Sequence, residues 1–255
     1  MFKLVVASIF KNESHILEEW LDHYITRGVE HFYLVNDFST DDYLSVLKKE
    51  KYDHLVTLYD NDIVHNMVGR QVEICNKYFK SKMKLCTWMA IIDLDEFLYS
   101  PTQMNLPNVL KKYSKYSQIT VDWLNFGSNG HIIQPDNVVK SFTKRAVFDK
   151  KQTYYSFKSI ILSKKFKNFN VHMHGVDGNG IHLHFDENKL PDLIINHYSI
   201  QSQEFFVNVK GKRGDVNNWF NNNGLLRNLE YFQRYDTNDI EDLHLVNQNE
   251  KNKLT

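Results

Sequence analysis

The chain has 255 residues, 42% of them hydrophobic and 14% aromatic, with Lys plus Arg and Asp plus Glu equal at 31 each. That size and apolar content supply the core of one α/β domain, and the balanced charge excludes both a whole-chain basic field for nucleic acid and an acidic solvating tail. The two cysteines, Cys75 and Cys86, make neither a metal-ligand spacing nor a disulfide framework, which suits a reducing compartment.

The opening apolar run reaches Lys11 and Glu13 too soon for a signal peptide or a membrane span and reads as a strand over 4–10. No later run approaches the roughly 20 apolar residues of a transmembrane helix, so the expectation is a cytoplasmic protein without a span. Ser14 fits an N-cap for a helix carrying Ile16, Leu17, Trp20, Leu21 and Tyr24 at helical spacing, and Gly28 stops it. A strand over 32–35, a polar loop over 36–42, a helix over 43–49, a strand over 55–58, a helix over 68–79 and a strand over 87–92 follow. This alternation predicts a largely parallel, doubly wound sheet that binds ligands beyond the carboxyl ends of its strands.

After Pro101 the pattern changes. Residues 119–126, 138–148 and 154–162 read as strands of a mixed or antiparallel extension. Histidines and glycines cluster over 171–198, a helix begins over 203–210, the stretch around 227–232 reads as helical, and 247–255 reads as a loose polar tail. Nothing in the composition divides the chain, so 1–246 is expected to form a single domain with halves of about 1–100 and 101–246.

The strand ending in Ile91-Ile92 runs straight into Asp93-Leu94-Asp95-Glu96. Asp93 and Asp95 share one face of an extended strand, so both could reach a single divalent cation, which could in turn hold a diphosphate; the bland alternative is a turn or helix cap. The loop Asn36-Asp37-Phe38-Ser39-Thr40-Asp41-Asp42 falls at the same sheet edge, where its polar groups could hold a base and ribose, or Ser39, Thr40 and Asp41 could simply start a helix. In the block from Trp123 to His131, Trp123 and Phe126 offer apolar faces to a pyranose and Gly127 permits close backbone approach, although such aromatics are most often core. Lys158 and Arg145 could neutralise phosphate; Lys210, Lys212 and Arg213 form a basic loop that either closes over it or is a solvated patch. His172, His174, His182 and His184 make two His-x-His pairs that would suit Zn²⁺, but zinc needs three or four ligands together.

In order along the chain, Lys11-Asn12-Glu13 with Glu19-Trp20, Gly28-Val29-Glu30-His31-Phe32-Tyr33, the loop 36–42, Ile92-Asp93-Leu94-Asp95-Glu96-Phe97, the block 123–131 and Asn196-His197-Tyr198 with Ser202 resemble GT-A glycosyltransferases. The closer resemblance is to glycosyltransferase family 92 and related family-2-like proteins, over roughly 3–215. It implies a GT-A, Rossmann-like α/β fold, with a mostly parallel mixed sheet flanked by helices and an antiparallel extension. It implies that Asn12, Glu13 and Asp37 line a nucleoside pocket. Asp93 and Asp95 match the Asp-x-Asp motif that holds Mn²⁺ (or Mg²⁺) against the diphosphate of a sugar nucleotide, with His197 as third ligand and His172 or His174 as alternatives.

The implied reaction is transfer of a hexose, galactose favoured, from a UDP-sugar to a glycan or glycoprotein acceptor with inversion. Inversion calls for a base; Asp122 and His131 flank the sugar block, with Glu96 and Asp177 as further candidates. A metal-dependent phosphohydrolase or nucleotidyltransferase would use paired carboxylates too, although a Walker motif is lacking, and a non-catalytic carbohydrate-binding module is a third reading.

Overall fold

The computed structural model describes residues 1–65, 69–148, 156–213 and 227–253. The first half alternates as its apolar runs predict: β1 (Phe2–Phe10), α1 (Ser14–Thr26), β2 (His31–Asn36), α2 (Tyr43–Leu47), β3 (Val56–Asp60), α3 (Arg70–Tyr78) and β4 (Cys86–Ile91). The start expected for α3, Val68, lies outside the described residues. Then come β5 (Glu96–Tyr99), α4 (Leu106–Lys111), β6 (Gln118–Asn125), α5 (Val138–Ser141), β7 (Lys144–Arg145), β8 (Phe157–Leu162), β9 (Phe166–Asn168), β10 (Gly175–Val176), β11 (Gly180–Leu183) and β12 (Ile194–His197). The C-terminal part contains α6 (Gln203–Phe205), a π-helical turn (Phe206–Lys210), α7 (Gly211–Arg213), α8 (Leu229–Tyr235), β13 (Ile240–Glu241) and α9 (His244–Lys253).

The main sheet runs in the order β3-β2-β1-β4-β8-β6-β12-β5. Its first four strands are parallel; β8 enters antiparallel between β4 and β6, and β5 closes the far edge antiparallel to β12. β6 forks: residues 118–121 pair with β11 and residues 123–125 with β12, both parallel. Side chains of β1 alternate between the two faces, so Leu4, Val6 and Phe10 pack with α1 and α4 while Val5, Ala7 and Ile9 pack with α3. Each large side chain buried this way contributes about 1.5–3 kcal/mol.

Helix α1 does more than cover the sheet. Its buried Trp20 donates from Nε1 to the carbonyls of Asp93 (3.0 Å) and Glu96 (3.1 Å), and the Tyr24 hydroxyl donates to the Glu96 carbonyl at 3.0 Å. A core helix thereby fixes the turn between β4 and β5 that carries the acidic residues.

Three local expectations are corrected. Residues 138–148 are not one strand: α5 occupies the start, because the Glu19 carboxylate accepts the Val138 and Val139 N–H groups at 2.7 and 3.0 Å and Asn137 caps Lys140. Ser14 is the first helical residue rather than the cap, and its N–H donates to Asp41 Oδ2 at 2.7 Å. Residues 247–253, expected to be loose, belong to α9, which docks through Gln248 to the Ser100 carbonyl and to Arg27. The expected strand 154–162 appears as β8 from Phe157, with 154–155 outside the described residues.

Candidate active site

The carboxyl ends of β1, β2 and β4 meet at one edge of the sheet, as parallel strands require. Two loops there are braced to each other: Asn12 Oδ1 accepts the Thr40 N–H at 2.6 Å, and the Asn12 N–H donates to Ser39 Oγ at 3.0 Å. Asn12 and Phe38 hold positive φ of 53° and 59°, a strained conformation for residues with a Cβ that persists where the surroundings dictate it. Asp42, not Ser39 or Thr40, caps α2. Asp37 is buried and taken up internally, gripped by both Arg70 Nη atoms (2.9 and 2.5 Å) and by Asn61 Nδ2 at 2.7 Å. Its physical role is to shape the loop, since both carboxylate oxygens are occupied.

At the end of β4 the acidic residues separate by environment. Asp93 is 42% exposed and pairs with Lys158 Nζ at 2.7 Å. Asp95 is buried against Lys210 Nζ (2.5 Å) and His197 Nε2 (3.6 Å). Burial alone would raise the Asp95 carboxyl, but the Lys210 and His197 charges hold it well below the usual range. Glu96 goes the other way: burial, helped by Asp93 and Asp95, outweighs Lys158 and raises it well above the usual carboxylate value. Neighbouring carboxyls are thus driven apart, one pushed down and the other up. Glu96 Oε2 accepts the Asp93 N–H at 3.1 Å, while its buried Oε1 makes no hydrogen bond.

Asp95, Glu96 and His197 each present a ligand atom, all within 4.8 Å of one another. Glu96 Oε1, without a hydrogen bond though 3.5 Å from Lys158 Nζ, and the mixed carboxylate–imidazole donor set fit a divalent cation. Of the expected Asp93, Asp95 and His197, this grouping contains Asp95 and His197 with Glu96 beside them, while Asp93 pairs with Lys158. His197 is oriented by Nδ1 against Asn125 Oδ1 (3.0 Å) and by the Trp123 ring, 4.5 Å away. Of the alternatives, His172 faces Trp123 and Phe157 at 5.8 and 6.0 Å, and His174 points into a different cluster against Phe169, where burial lowers its pKa to about 4.

Two of the three basic residues in the loop are taken up by the acidic groups. Lys212 is exposed, but Lys210 is buried on Asp95 and the half-buried Arg213 pairs with Glu13 at 2.8 Å and bonds to the Lys11 carbonyl. The turn from Phe206 to Arg213 thus straps the loop after β1 to the acidic turn. The three-residue spacing of Lys210 and Arg213, one helical turn, is the sequence signal that could have paired them.

Other expected residues lie elsewhere. Phe126 is core, 4.8 Å from Tyr198, and a Cβ on Gly127 would collide with Thr237 and Asn238, so the close approach there is to this chain's own backbone. Arg145 is buried on Asp242 at 2.7 Å rather than near the acidic turn. His131 bonds through Nε2 to the Ser141 carbonyl (3.1 Å) and Asp122 to His182 and His184, so neither candidate base joins the acidic cluster; Asp177 pairs with Lys167. Trp123 and Asn125 do line a cleft of about 230 Å³ with Phe148, Ser156, Arg234 and Tyr235.

A mixed sheet with a carboxylate, lysine and histidine cluster beyond its parallel strands is an arrangement of the GT-A fold class. The chain belongs to glycosyltransferase family 92, whose model matches residues 3–244. Family 92 proteins of Ricinus communis and of Oryza sativa subsp. japonica are 25% and 24% identical to it, each over 80% of this chain. The chain spans about a third of their length, 36% and 34%. Among solved structures, Staphylococcus aureus TarS 1–349 in complex with UDP-GlcNAc is similar over 64% of this chain and 46% of its own, at 17% identity and TM-score 0.39. HddC from Yersinia pseudotuberculosis is similar over 71% and 91%, at 11% identity and TM-score 0.40. Among the described residues, no helix is long and apolar enough to cross a membrane.

Proposed function

We propose that the chain transfers a hexose, with galactose the family-weighted choice, from a UDP-sugar to a glycan or glycoprotein acceptor, with a divalent cation such as Mn²⁺ and with inversion. The observation that carries this reading is the convergence of Asp95, Glu96 and His197 beside the two braced loops, in a chain of glycosyltransferase family 92. Residues 1–100 supply the nucleotide half and 101–246 the acceptor half.

Asp95, Glu96 and His197 would hold the cation, and bound there it supplies Lewis-acid stabilisation of the diphosphate as the anomeric bond breaks. Lys158 and Lys210, buried next to the same carboxylates, add positive charge where the leaving group gathers negative charge. The loops of Asn12, Glu13 and Asp37 frame the nucleoside, and Trp123 presents its ring to the sugar in the cleft beside His197.

UDP with Mn²⁺ at 100 times its Kd should stabilise the native state by about 2.7 kcal/mol, roughly 5 °C in Tm for a chain of this size. Asp95→Asn should abolish that shift, and a panel of sugar nucleotides should show slow release of free sugar from the true donor. No shift with any nucleoside diphosphate and metal would sink the proposal. Release of phosphate or pyrophosphate would instead mark a phosphohydrolase or nucleotidyltransferase, and metal-independent glycan binding without turnover a binding module.

A further inference from the structure

The pair His182 and His184, unused by the glycosyl-transfer reading, meets a third group at the fork in β6. Asp122 is the residue at which β6 changes partner from β11 to β12. Its side chain is 1% exposed, and among the described residues its ion-pair partners are these two imidazoles, with no Lys or Arg. His182 Nε2 lies 2.6 Å from Asp122 Oδ1 and His184 Nδ1 3.3 Å from Oδ2, with the two rings 4.0 Å apart. One ligand atom from each residue falls within 4.8 Å of the other two.

The surrounding hydrogen bonds point the same way. The Thr120 hydroxyl lies 2.8 Å from His182 Nδ1 and 3.4 Å from the Ile181 carbonyl, so it holds the far nitrogen of that ring. His182 Nε2 thus sits 2.6 Å from a carboxylate oxygen, a separation that a shared proton spans and that a metal ion replacing the proton would widen. The Phe185 N–H fixes the carboxylate by donating to Oδ2 at 3.1 Å. A hydroxyl on the far nitrogen of a histidine and a donor on the carboxylate are the outer contacts that orient metal ligands.

We propose that Asp122, His182 and His184 form a second metal site, for a zinc-class divalent ion, separate from the Asp95 cluster. Two imidazoles and one carboxylate suit Zn²⁺ better than Mg²⁺ or Mn²⁺, which prefer oxygen donors. Tetrahedral bonds of about 2.0–2.1 Å set ligand atoms roughly 3.3 Å apart. The His184–Asp122 separation of 3.3 Å already meets this, and the 2.6 Å His182–Asp122 separation has to open slightly. The fourth position faces solvent beside His184, which is 56% exposed. The ion tethers β11, an edge strand of four residues, to β6 one residue from Trp123, whose ring supports His197.

The site stands independently of the sugar-transfer reading and is tested without it. Chelator-stripped full chain should bind one equivalent of Zn²⁺, and Co²⁺ in its place should give the visible absorption of a tetrahedral centre. His182→Gln/His184→Gln should lose that equivalent and that absorption, Asp95→Asn should keep both, and Thr120→Val should weaken Zn²⁺ about tenfold through the lost outer contact. If the double variant fails to fold, Zn²⁺ should still protect His182 and His184 of the unmutated chain from diethyl pyrocarbonate, read by peptide mass. Absence of Zn²⁺ binding, its retention in a folded double variant, its loss in Asp95→Asn, or modification of both histidines regardless of Zn²⁺ would overturn the proposal.

Discussion

Replacing Arg70 by Met tests how the loop after β2 is held. The Arg70 and Asp37 side chains are 0% and 3% exposed, and the guanidinium also donates to the Ile63 carbonyl from Nε (3.1 Å) and Nη2 (2.9 Å). Removing the cation leaves a carboxylate buried without its counter-charge, a loss of about 3–5 kcal/mol. A chain of 255 residues has an unfolding entropy near 0.5 kcal/mol/K, so Tm should fall by about 6–10 °C. The pair is isolated by a double-mutant cycle: Arg70→Met, Asp37→Leu and the double variant, each unfolded in urea. Because the double variant buries no unpaired charge, it should recover at least about 2 kcal/mol relative to the sum of the singles. A single-variant loss below about 1 kcal/mol, or a cycle that is simply additive, would refute the view that this ion pair sets the loop.

Glu96→Gln should alter the pH dependence of stability. Because the folded pKa of Glu96 is raised, the unfolded chain releases that proton first, and its contribution is fully present below about pH 4.5 and declines as pH rises, by up to about 1.4 kcal/mol per unit. The Gln variant should therefore gain on the unmutated chain between pH 5 and 8 in Tm measurements, and parallel curves would contradict the assignment. Lys210→Met should weaken UDP–Mn²⁺ binding by calorimetry while bare Mn²⁺ binds no worse, since the lysine and the cation share Asp95. Equal losses for both ligands would point to a collapsed site. Glu19→Gln, which removes the charge accepting two N–H groups at the start of α5, should cost about 1–2 kcal/mol in urea unfolding.

The parallel half of the sheet was legible because buried strands and amphipathic helices write their periods into local sequence; β1 and the Trp20 stripe of α1 are examples. Residues 138–148 misled for the opposite reason. Val138, Val139 and Val147 favour a strand, and the helix exists because Glu19, more than a hundred residues earlier, satisfies its first N–H groups. The acidic turn was found, yet the partition of its carboxyls was not, since it depends on Lys158 and Lys210 arriving from distant segments. Asp37 and Asp122 show the same limit: an acidic residue in or just after a strand looks available until its tertiary partner, Arg70 or a histidine pair, is known.

The paired lysines also dictate how ligands must arrive. Lys158 and Lys210 stand against the carboxylates of Asp93 and Asp95, so the acidic turn already carries its own counter-charges before anything binds. A lone divalent cation brings uncompensated positive charge into a poorly solvated place, and a lone diphosphate brings uncompensated negative charge. Together they nearly cancel. On the function proposed above, each ligand should therefore raise the affinity of the other by the same factor, a reciprocity that thermodynamic linkage requires, and the acidic turn would act as a receptor for the ion-bound nucleotide more than for either component.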